Sequence, residues 1–226
     1  MRIAWLCDFD GTISPSDIGA AFVQRFSPAG AVPELDGWLA GRVGHRELTR
    51  AQCERVRATR EEALEFTRGF DIDPGFATFA REAHARADAV MVVSEGFDFY
   101  VADALERAGL GWLPRAANQL DFRADRTVEL RFPFAHEDCA DCGNCKARHV
   151  REHGDRGYHT VLVGDGLSDR HGALAADRVL ARGALREWCE AGSVAHDAFR
   201  DFADVIEHGR RPDRVAAAAA AREGTR

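Results

Sequence analysis

The hexapeptide CDFDGT, residues Cys7–Thr12, lies close to the start of the chain and decides how the rest of the sequence is interpreted. The apolar run Ile3–Cys7 predicts a short buried strand that ends on the first residue of this hexapeptide. Two carboxylates, Asp8 and Asp10, then stand two residues apart where the strand ends. Because two negative charges at this spacing repel each other, we expect a cation or a reaction at this position.

The composition limits the kind of protein this can be. The chain has 226 residues, of which 46% are hydrophobic, so it can bury a sizeable core as one domain with an insertion or as two small domains. A net charge of −7 argues against nucleic-acid binding, which depends on basic contacts to phosphate. Since no leader-like start and no long apolar run are found, we expect a cytoplasmic protein without a membrane partner; the oligomeric state is not indicated.

The basic residues are distributed very unevenly between the two types. Of 30 basic side chains 29 are arginine and one is lysine, Lys146. A compact ammonium and a planar guanidinium fit different sites, so a single retained lysine is a candidate functional residue. Chance survival is the alternative explanation.

Short apolar runs alternate with helical patterns over most of the chain. The runs after the first strand are Ala89–Val93, Thr160–Val163 and Arg178–Ala181. This alternation predicts an α/β fold with a central parallel sheet and right-handed crossovers. Shorter alternating stretches near Arg115–Asn118, Gln119–Phe122 and Val128–Phe132 predict an antiparallel ribbon.

The stretch from Asp17 to about Arg68 has helical patterns and no predicted strand, which indicates a small helical insert. An alanine-containing stretch at the end of the sequence predicts a frayed or flexible tail. The expected division is therefore a core at 1–13 and 75–210, a cap at 14–74 and a tail at 211–226.

Polar residues stand at the ends of three predicted strands, namely Asp8 and Asp10, Ser94, and Asp165 with Asp169. Open parallel sheets bind ligands beyond the carboxyl ends of their strands, so we expect these residues to form one site. Carboxylate oxygens select hard ions, and Mg²⁺ is the usual choice where phosphate is also present. Asp8, Asp165 and Asp169 are the candidate carboxylate ligands.

The same strand ends are suited to hold a phosphoryl group. Lys146, Ser94 and backbone N–H groups near the glycines would neutralise and orient its charge. Glu95, beside the serine, is predicted either to touch the substrate or to cap a helix. The candidate phosphate-binding residues are Gly11, Thr12, Ser94, Glu95, Gly96 and Lys146.

The two carboxylates of the hexapeptide suit two chemical roles. Asp8 is placed to attack phosphorus and form an aspartyl phosphate. Asp10 is placed to protonate the leaving oxygen and then to deprotonate the water that hydrolyses the intermediate. The alternative is that Asp-x-Asp is only a turn or a helix cap.

Four motifs in order resemble those of the haloacid dehalogenase superfamily phosphatases. They are DFDGT (Asp8–Thr12), VVS (Val92–Ser94), Lys146 and GDGLSD (Gly164–Asp169), and the resemblance extends to about His208. It implies a Rossmann-like core and a helical C1 cap inserted after the first strand.

The resemblance also implies roles for individual residues. It implies Asp8 as the nucleophile, Asp10 as the acid/base, and Ser94 and Lys146 as phosphate binders. It further implies a magnesium ion bound by Asp8, the carbonyl of Asp10 and Asp165, with support from Asp169.

Further stretches narrow the resemblance to the phosphoserine-phosphatase-like group, subfamily IB. SEGFDFYV (Ser94–Val101), CGNCK (Cys142–Lys146) and VLARGALREWCE (Val179–Glu190) most resemble phosphatases of 2-hydroxy-3-keto-5-methylthiopentenyl-1-phosphate. The expected partner is thus a small phosphorylated metabolite. Asp17, where phosphoserine phosphatases carry a glutamate, is the candidate substrate residue.

Several other functions remain open at this point. A phosphoserine or a phosphocholine/phosphoethanolamine phosphatase would use the same scaffold. A non-catalytic protein that binds a phosphometabolite would keep the pocket without turnover, and a phosphotransferase would pass the phosphoryl group to an alcohol.

A cysteine-rich stretch precedes the single lysine. His136, Cys139, Cys142 and Cys145 are spaced three apart and form a possible set of ligands for a structural Zn²⁺. The regular spacing lacks the usual pair of Cys-x-x-Cys elements separated by a long gap. The favoured interpretation is a set of reduced thiols in the loop that orients Lys146.

Overall fold

The computed structural model describes residues 2–28 and 33–210. Its strands are β1 (Ile3–Cys7), β2 (Ala89–Phe97), β3 (Arg115–Phe122), β4 (Val128–Arg131), β5 (His159–Gly164), β6 (Arg178–Ala181) and β7 (Asp197–Ala198). Its helices are α1 (Ile18–Phe26), α2 (Pro33–Leu39), α3 (His45–Arg55), α4 (Arg60–Thr67), α5 (Pro74–Ala85), α6 (Asp98–Arg107), α7 (Lys146–Asp155), α8 (Arg170–Ala175), α9 (Gly183–Ala191) and α10 (Phe202–Arg210).

The strands of the described residues form one sheet in the order β4-β3-β2-β1-β5-β6-β7. Its neighbours pair in parallel except for β3 and β4, which are antiparallel. The predicted α/β fold around a parallel sheet is therefore confirmed. Because the chain leaves β1 for β2 on one side and reaches β5 on the other, the carboxyl ends of these three strands meet at a switch point where ligands bind.

The central strand β1 is buried on both faces. Ile3, Trp5 and Cys7 belong to one core cluster, and Ala4 and Leu6 belong to the other. The alternation follows from the two-residue period of a strand, and a strand covered on both faces is apolar throughout. This sandwiching fixes the position of the residues that follow the strand.

The described part of the chain between β1 and α5 contains the four helices α1 to α4, joined by turns and loops. The Asp17 side chain caps α1 by accepting from Ala20 N at 2.7 Å, and Thr59 with Glu62 forms a capping box on α4. Capping side chains satisfy amide groups that a helix start leaves unpaired. The division into core, cap and tail stays a prediction, and the tail at 211–226 lies outside the described residues.

Some predicted elements were wrong in extent or pairing. The predicted antiparallel ribbon is present as β3 and β4, but its first two stretches form one strand, β3, whose start also pairs in parallel with β2. The ribbon joins the main sheet because the first half of β3 is buried. Strand β2 continues to Phe97, so Ser94 lies within the strand rather than after it. The pairing of β2 with β3 shifts register between Val93 and Phe97. A 3₁₀ turn, Leu167–Asp169, leads from β5 into α8.

In residues 2–28 and 33–210 none of the helices is both long enough and apolar enough to cross a membrane.

Candidate functional site

Four side chains from three parts of the chain meet at the carboxyl ends of β1 and β5. We call Asp8, Lys146, Asp165 and Asp169 the strand-end cluster. Asp8 follows β1, Asp165 follows β5, Asp169 ends the 3₁₀ turn, and Lys146 is the first residue of α7. The sequence-predicted strand ends are thus brought together as expected.

Lys146 lies at the centre of this cluster. Its Nζ is 2.7 Å from Asp8 Oδ1 and also contacts Asp169 Oδ1. The lysine is 1% exposed and the two acids are 5% and 0% exposed, so these charges are screened little by solvent. Burial opposes the charge on Lys146, but Asp169 and Asp8 outweigh it and raise the pKa of the ammonium above its usual value.

The acids of the cluster carry more negative charge than the lysine balances. Burial first, and then repulsion from Asp169, raises the pKa of Asp8 well above its ordinary value, although Lys146 acts in the opposite direction. Burial likewise raises the pKa of Asp165. Carboxylate oxygens of Asp8, Asp165 and Asp169 all lie within 4.8 Å of one another. Three carboxylates against one ammonium leave a formal charge of −2, which a divalent cation would neutralise.

The turn after β1 is fitted closely against β5. Gly11 has a φ of +74°, and a Cβ there would lie 2.3 Å from Asp165 Oδ2, so only glycine fits. Thr12 Oγ1 donates to Asp165 Oδ1 at 2.6 Å. The Arg182 guanidinium donates to the carbonyls of Gly11 and Thr12. These contacts hold the turn and Asp165 in one arrangement.

Asp10 occupies a different environment from Asp8, although only one residue separates them. Its Oδ1 accepts from Ile18 N at 2.9 Å and Gly19 N at 3.2 Å, at the start of α1. Its Oδ2 accepts from the Tyr100 hydroxyl at 2.5 Å and from Ser94 Oγ at 3.4 Å. The side chain is therefore held beside the cap rather than beside Lys146.

The surroundings of Asp10 place its titration near neutrality. Burial and the charge of Asp17 raise the pKa of Asp10 to about 7, against the lowering effect of the bonds from Tyr100 and the start of α1. A group with a pKa near the working pH can both donate and accept a proton. The geometry therefore suits an acid/base.

Gly96 makes room for this arrangement. A Cβ at Gly96 would lie 1.7 Å from the Tyr100 hydroxyl oxygen and 2.4 Å from Asp10 Oδ2. The Gly96 N–H donates to Ser94 Oγ at 2.9 Å, and Ser94 is fully buried. Ser94 and Gly96 thus sit beside Asp10 at the end of β2.

Glu95 links the core to the helical insert. Its Oε2 accepts from Gly143 N and Asn144 N, both at 3.1 Å, and lies 3.4 Å from His45 Nδ1 of α3. Burial alone would raise the pKa of Glu95, but His45 and Lys146 bring it below its usual value; Glu95 in turn raises the pKa of His45. Glu95 Oε1 is buried without a hydrogen-bond partner among the described residues. This oxygen is available to a ligand.

A cavity of about 240 Å³ lies between the strand ends and the helical insert. Its core side includes Asp8, Asp10, Gly11, Glu95, Gly96 and Asp165. Its opposite side, which we call the cap wall, is formed by Asp17, Val23, Trp38, His45 and Leu48. The lining contains no arginine or lysine among the residues described. A larger open cleft near Arg57 and Arg126 contains none of the predicted site residues.

The predicted set of zinc ligands does not come together as a group. Cys139 and Cys142 approach each other, but the His136 ring turns back on its own loop and accepts from Asp138 N at 3.2 Å. A different histidine, His171, completes a three-residue group with these two cysteines. The assignment of His136 was therefore wrong, because spacing along a loop does not fix which side chains face inward.

Sequence reasoning missed three residues of this region: Tyr100, His45 and His171. Tyr100 lies within the quoted stretch SEGFDFYV, but nothing in the spacing relates it to Asp10. His45 and His171 reach their partners only through the packing of helices against loops that are distant in sequence. Of the three, only Tyr100 lies in a stretch that the sequence analysis singled out.

Comparison with known proteins finds a family match and similar phosphatases. The family model described as haloacid dehalogenase-like hydrolase matches residues 5–174. A 2-hydroxy-3-keto-5-methylthiopentenyl-1-phosphate phosphatase of Brevibacillus brevis is 29% identical over 91% of this chain and 94% of its own length. A phosphatase of the same name from an Exiguobacterium species is 33% identical over 88% of this chain and 94% of its own length.

Solved structures show the same fold. A substrate-bound phosphoserine phosphatase complex superposes with a TM-score of 0.69 at 19% identity, covering 92% of this chain and 98% of that one. The structure of a phospho-aspartyl intermediate analogue of phosphoserine phosphatase superposes with a TM-score of 0.68. It also covers 92% of this chain and 98% of its own. At this identity the likeness concerns the fold alone.

Proposed function

The chain belongs to the haloacid dehalogenase-like hydrolases, and on that premise we propose that it hydrolyses a small phosphomonoester through a phosphoaspartate at Asp8. The phosphatase names of its relatives bear out the prediction that it is a phosphatase. One observation carries the proposal: Asp8, Lys146, Asp165 and Asp169 form a buried cluster that opens on a cavity beside a separately held Asp10.

The strand-end cluster suits Mg²⁺. Asp8, Asp165 and Asp169 offer hard oxygen donors, and their formal excess of two negative charges over Lys146 matches a divalent ion. When bound, Mg²⁺ would offset the charge of the phosphoryl oxygens. Asp10 would contribute its backbone carbonyl, as the family resemblance implies.

In the first step Asp8 attacks phosphorus. Its Oδ1 accepts from Phe9 N and contacts Lys146, and no hydrogen bond among the described residues occupies Oδ2. We therefore assign Oδ2 as the attacking oxygen. Lys146, with Ser94 and the amides near Gly96, would hold the phosphoryl oxygens, which keeps the group in line for displacement.

Asp10 would act as the general acid in the first step and as the general base in the second. Protonated, it gives a proton to the leaving alcohol oxygen as the P–O bond breaks. Ionised, it takes a proton from water, which then attacks the phosphoaspartate and releases inorganic phosphate and the free Asp8 carboxylate. A pKa of about 7 allows both forms near neutral pH.

The cap wall favours a substrate with an apolar tail. Val23, Trp38 and Leu48 line the side of the cavity opposite the strand ends, and the described lining has no arginine or lysine to meet a carboxylate. The side chain of Arg46, on the neighbouring helix α3, is engaged elsewhere, since it donates to the carbonyls of Cys139 and Cys142. These features favour 2-hydroxy-3-keto-5-methylthiopentenyl-1-phosphate over phosphoserine.

A second substrate class is favoured by two residues of the cap wall. Asp17 is exposed beside the cavity and Trp38 offers an aromatic face, which together suit an alkylammonium phosphate such as phosphocholine or phosphoethanolamine. Both classes use the same reaction.

The test is hydrolysis of a panel of metabolite phosphates with Mg²⁺ by the wild-type chain and by Asp8→Asn. The panel includes the methylthiopentenyl phosphate, phosphocholine, phosphoethanolamine and phosphoserine. We expect the first compound to have the highest kcat/KM, and Asp8→Asn to lose at least about 1000-fold with an unchanged circular dichroism spectrum. Asp125→Asn, at an exposed loop position, is the matched control.

A rapid acid quench of wild type with labelled substrate should trap a base-labile phosphoryl group on the peptide that contains Asp8. Turnover in Asp8→Asn within threefold of wild type would contradict the assignment. A wild-type chain that binds phosphate with Mg²⁺ but turns over none of the panel would favour the non-catalytic alternative.

A further inference from the structure

The loop before α7 brings three soft donors together away from the strand-end cluster. Cys142 Sγ lies 3.1 Å from His171 Nδ1, and Cys139 Sγ lies 3.9 Å from the same atom. The three donor atoms all lie within 4.8 Å of one another. His171 is on α8, so the group joins a loop to a helix about 30 positions further along the chain.

These separations match a tetrahedral zinc site. With Zn–S near 2.3 Å and Zn–N near 2.0–2.1 Å, tetrahedral angles place sulfur and nitrogen ligands about 3.5 Å apart. The two observed distances, 3.1 Å and 3.9 Å, lie on either side of that value. Thiolates and an imidazole select zinc over Mg²⁺ because they are softer donors than carboxylate oxygens.

The surroundings of the group also suit a metal. The thiol of Cys145 is close enough to that of Cys142 to interact with it, which puts a third thiol near the site, and both cysteines are nearly fully buried. On the far side of the imidazole, His171 Nε2 lies 3.9 Å from Asp141 Oδ2. A carboxylate at the second nitrogen of a ligating histidine is the usual way in which its tautomer and orientation are set.

We propose that Cys139, Cys142 and His171 bind Zn²⁺, and that Cys145, whose sulfur lies outside this group of mutually close donors, moves in as the fourth ligand when the ion binds. All four are protein donors, which is typical of a structural rather than a catalytic zinc site. The proposal is independent of the phosphatase assignment, because none of these side chains belongs to the strand-end cluster.

The site would stiffen the surface on which the helical insert rests. Arg46 of α3 donates from its side chain to the carbonyls of Cys139 and Cys142, and its own N–H donates to Asp141 O at 2.8 Å. The residue after Cys145 is Lys146. Zinc would therefore fix both the contact with the insert and the start of α7.

The test is the metal content of the full chain, purified without chelator and without a metal-affinity tag. Elemental analysis by mass spectrometry should find about one zinc per chain. Cys142→Ser and His171→Asn should each lower it at least tenfold. His136→Asn and Cys189→Ala should leave it unchanged, because His136 faces its own loop and Cys189 is buried elsewhere in the core.

A second measurement keeps the proposal testable where a variant fails to fold. Metal-free wild type titrated with Co²⁺ should develop the intense visible bands of tetrahedral cobalt with thiolate ligands, and Zn²⁺ should abolish them and raise the Tm. Wild type that holds less than a tenth of an equivalent of zinc and gives no cobalt bands with its thiols reduced would overturn the proposal. So would a Cys139–Cys142 disulfide in the freshly purified chain, or loss of zinc in His136→Asn.

Discussion

The two sides of the cavity differ in how their residues are held. In the strand-end cluster Asp8 and Asp165 follow directly on buried strands and Asp169 ends the short turn after β5, and each acid is held by charges or hydrogen bonds from the core. The cap wall is assembled from separate helices, α1, α2 and α3, and includes half-exposed side chains such as Trp38. Rigid strands suit groups whose geometry decides a reaction, and surface helices suit groups that vary with the substrate. We therefore expect changes in the strand-end cluster to alter turnover and changes in the cap wall to alter selectivity.

The largest effect is expected at the single lysine. Lys146→Met should lower kcat about 1000-fold, because it removes the one ammonium between Asp8 and Asp169 that would meet the phosphoryl oxygens. Steady-state kinetics measure the loss, and circular dichroism measures the fold. Lys146→Arg should recover only part of the activity, since a planar guanidinium does not fit a buried site shaped for an ammonium. Full activity in Lys146→Arg would show that only the charge matters.

The second largest effect is expected in the magnesium dependence, which should respond to changes in the strand-end cluster and not to changes in the cap wall. Chelation should abolish turnover, and Asp165→Asn should raise the Mg²⁺ concentration for half-maximal rate at least tenfold, because it removes one of three carboxylate donors. Asp17→Asn on the cap wall should leave that concentration unchanged. A similar rise in both variants would mean that the ion is not bound at the strand ends.

Selectivity for the apolar tail should decrease when the cap wall is altered. For primary alkyl phosphates of two to six carbons, kcat/KM should increase roughly threefold per methylene in wild type. In Trp38→Ala the ratio of kcat/KM between the longest and the shortest substrate should be roughly tenfold smaller than in wild type. The kcat/KM of the shortest substrate should change little. An equal loss for every chain length would place Trp38 outside the tail-binding region.

The smallest effect expected is a shift in pH dependence, and its sign differs between two variants. Asp17 raises the pKa of Asp10 and Tyr100 lowers it. Since the first step needs protonated Asp10, kcat/KM should fall as pH rises through about 7. Asp17→Asn should move this fall to lower pH, and Tyr100→Phe should move it to higher pH, each by about half a unit.

Asn is a good N-cap, so the first of these variants keeps the start of α1. A fall that stays in place in both variants would mean that another group controls the proton transfer.

Much of the fold and of the strand-end cluster could be predicted from sequence because local rules generate them. A short apolar run followed by Asp8 predicts that this acid lies at a strand end, and parallel strands bring their ends together. The glycine at position 11 follows from the same geometry, because its positive φ and its contact with Asp165 exclude a side chain.

The remaining contacts depend on tertiary packing. Tyr100 reaches Asp10 only because β2 continues past its predicted end and sets the first turn of α6 beside the cavity. His45 reaches Glu95 only when the insert lies over the core. His171 faces the cysteine loop because α8 packs against α7, so a spacing rule chose His136 instead.

The burial of Lys146 has a practical consequence. It carries the only side-chain amine in the sequence and is 1% exposed. An acylating reagent that reacts with primary amines should therefore leave this side chain unmodified while the helical insert and the core stay closed, and should add one mass increment to its peptide when they separate. The rate of that single modification, followed with and without substrate, would directly report the rate at which the insert and the core separate.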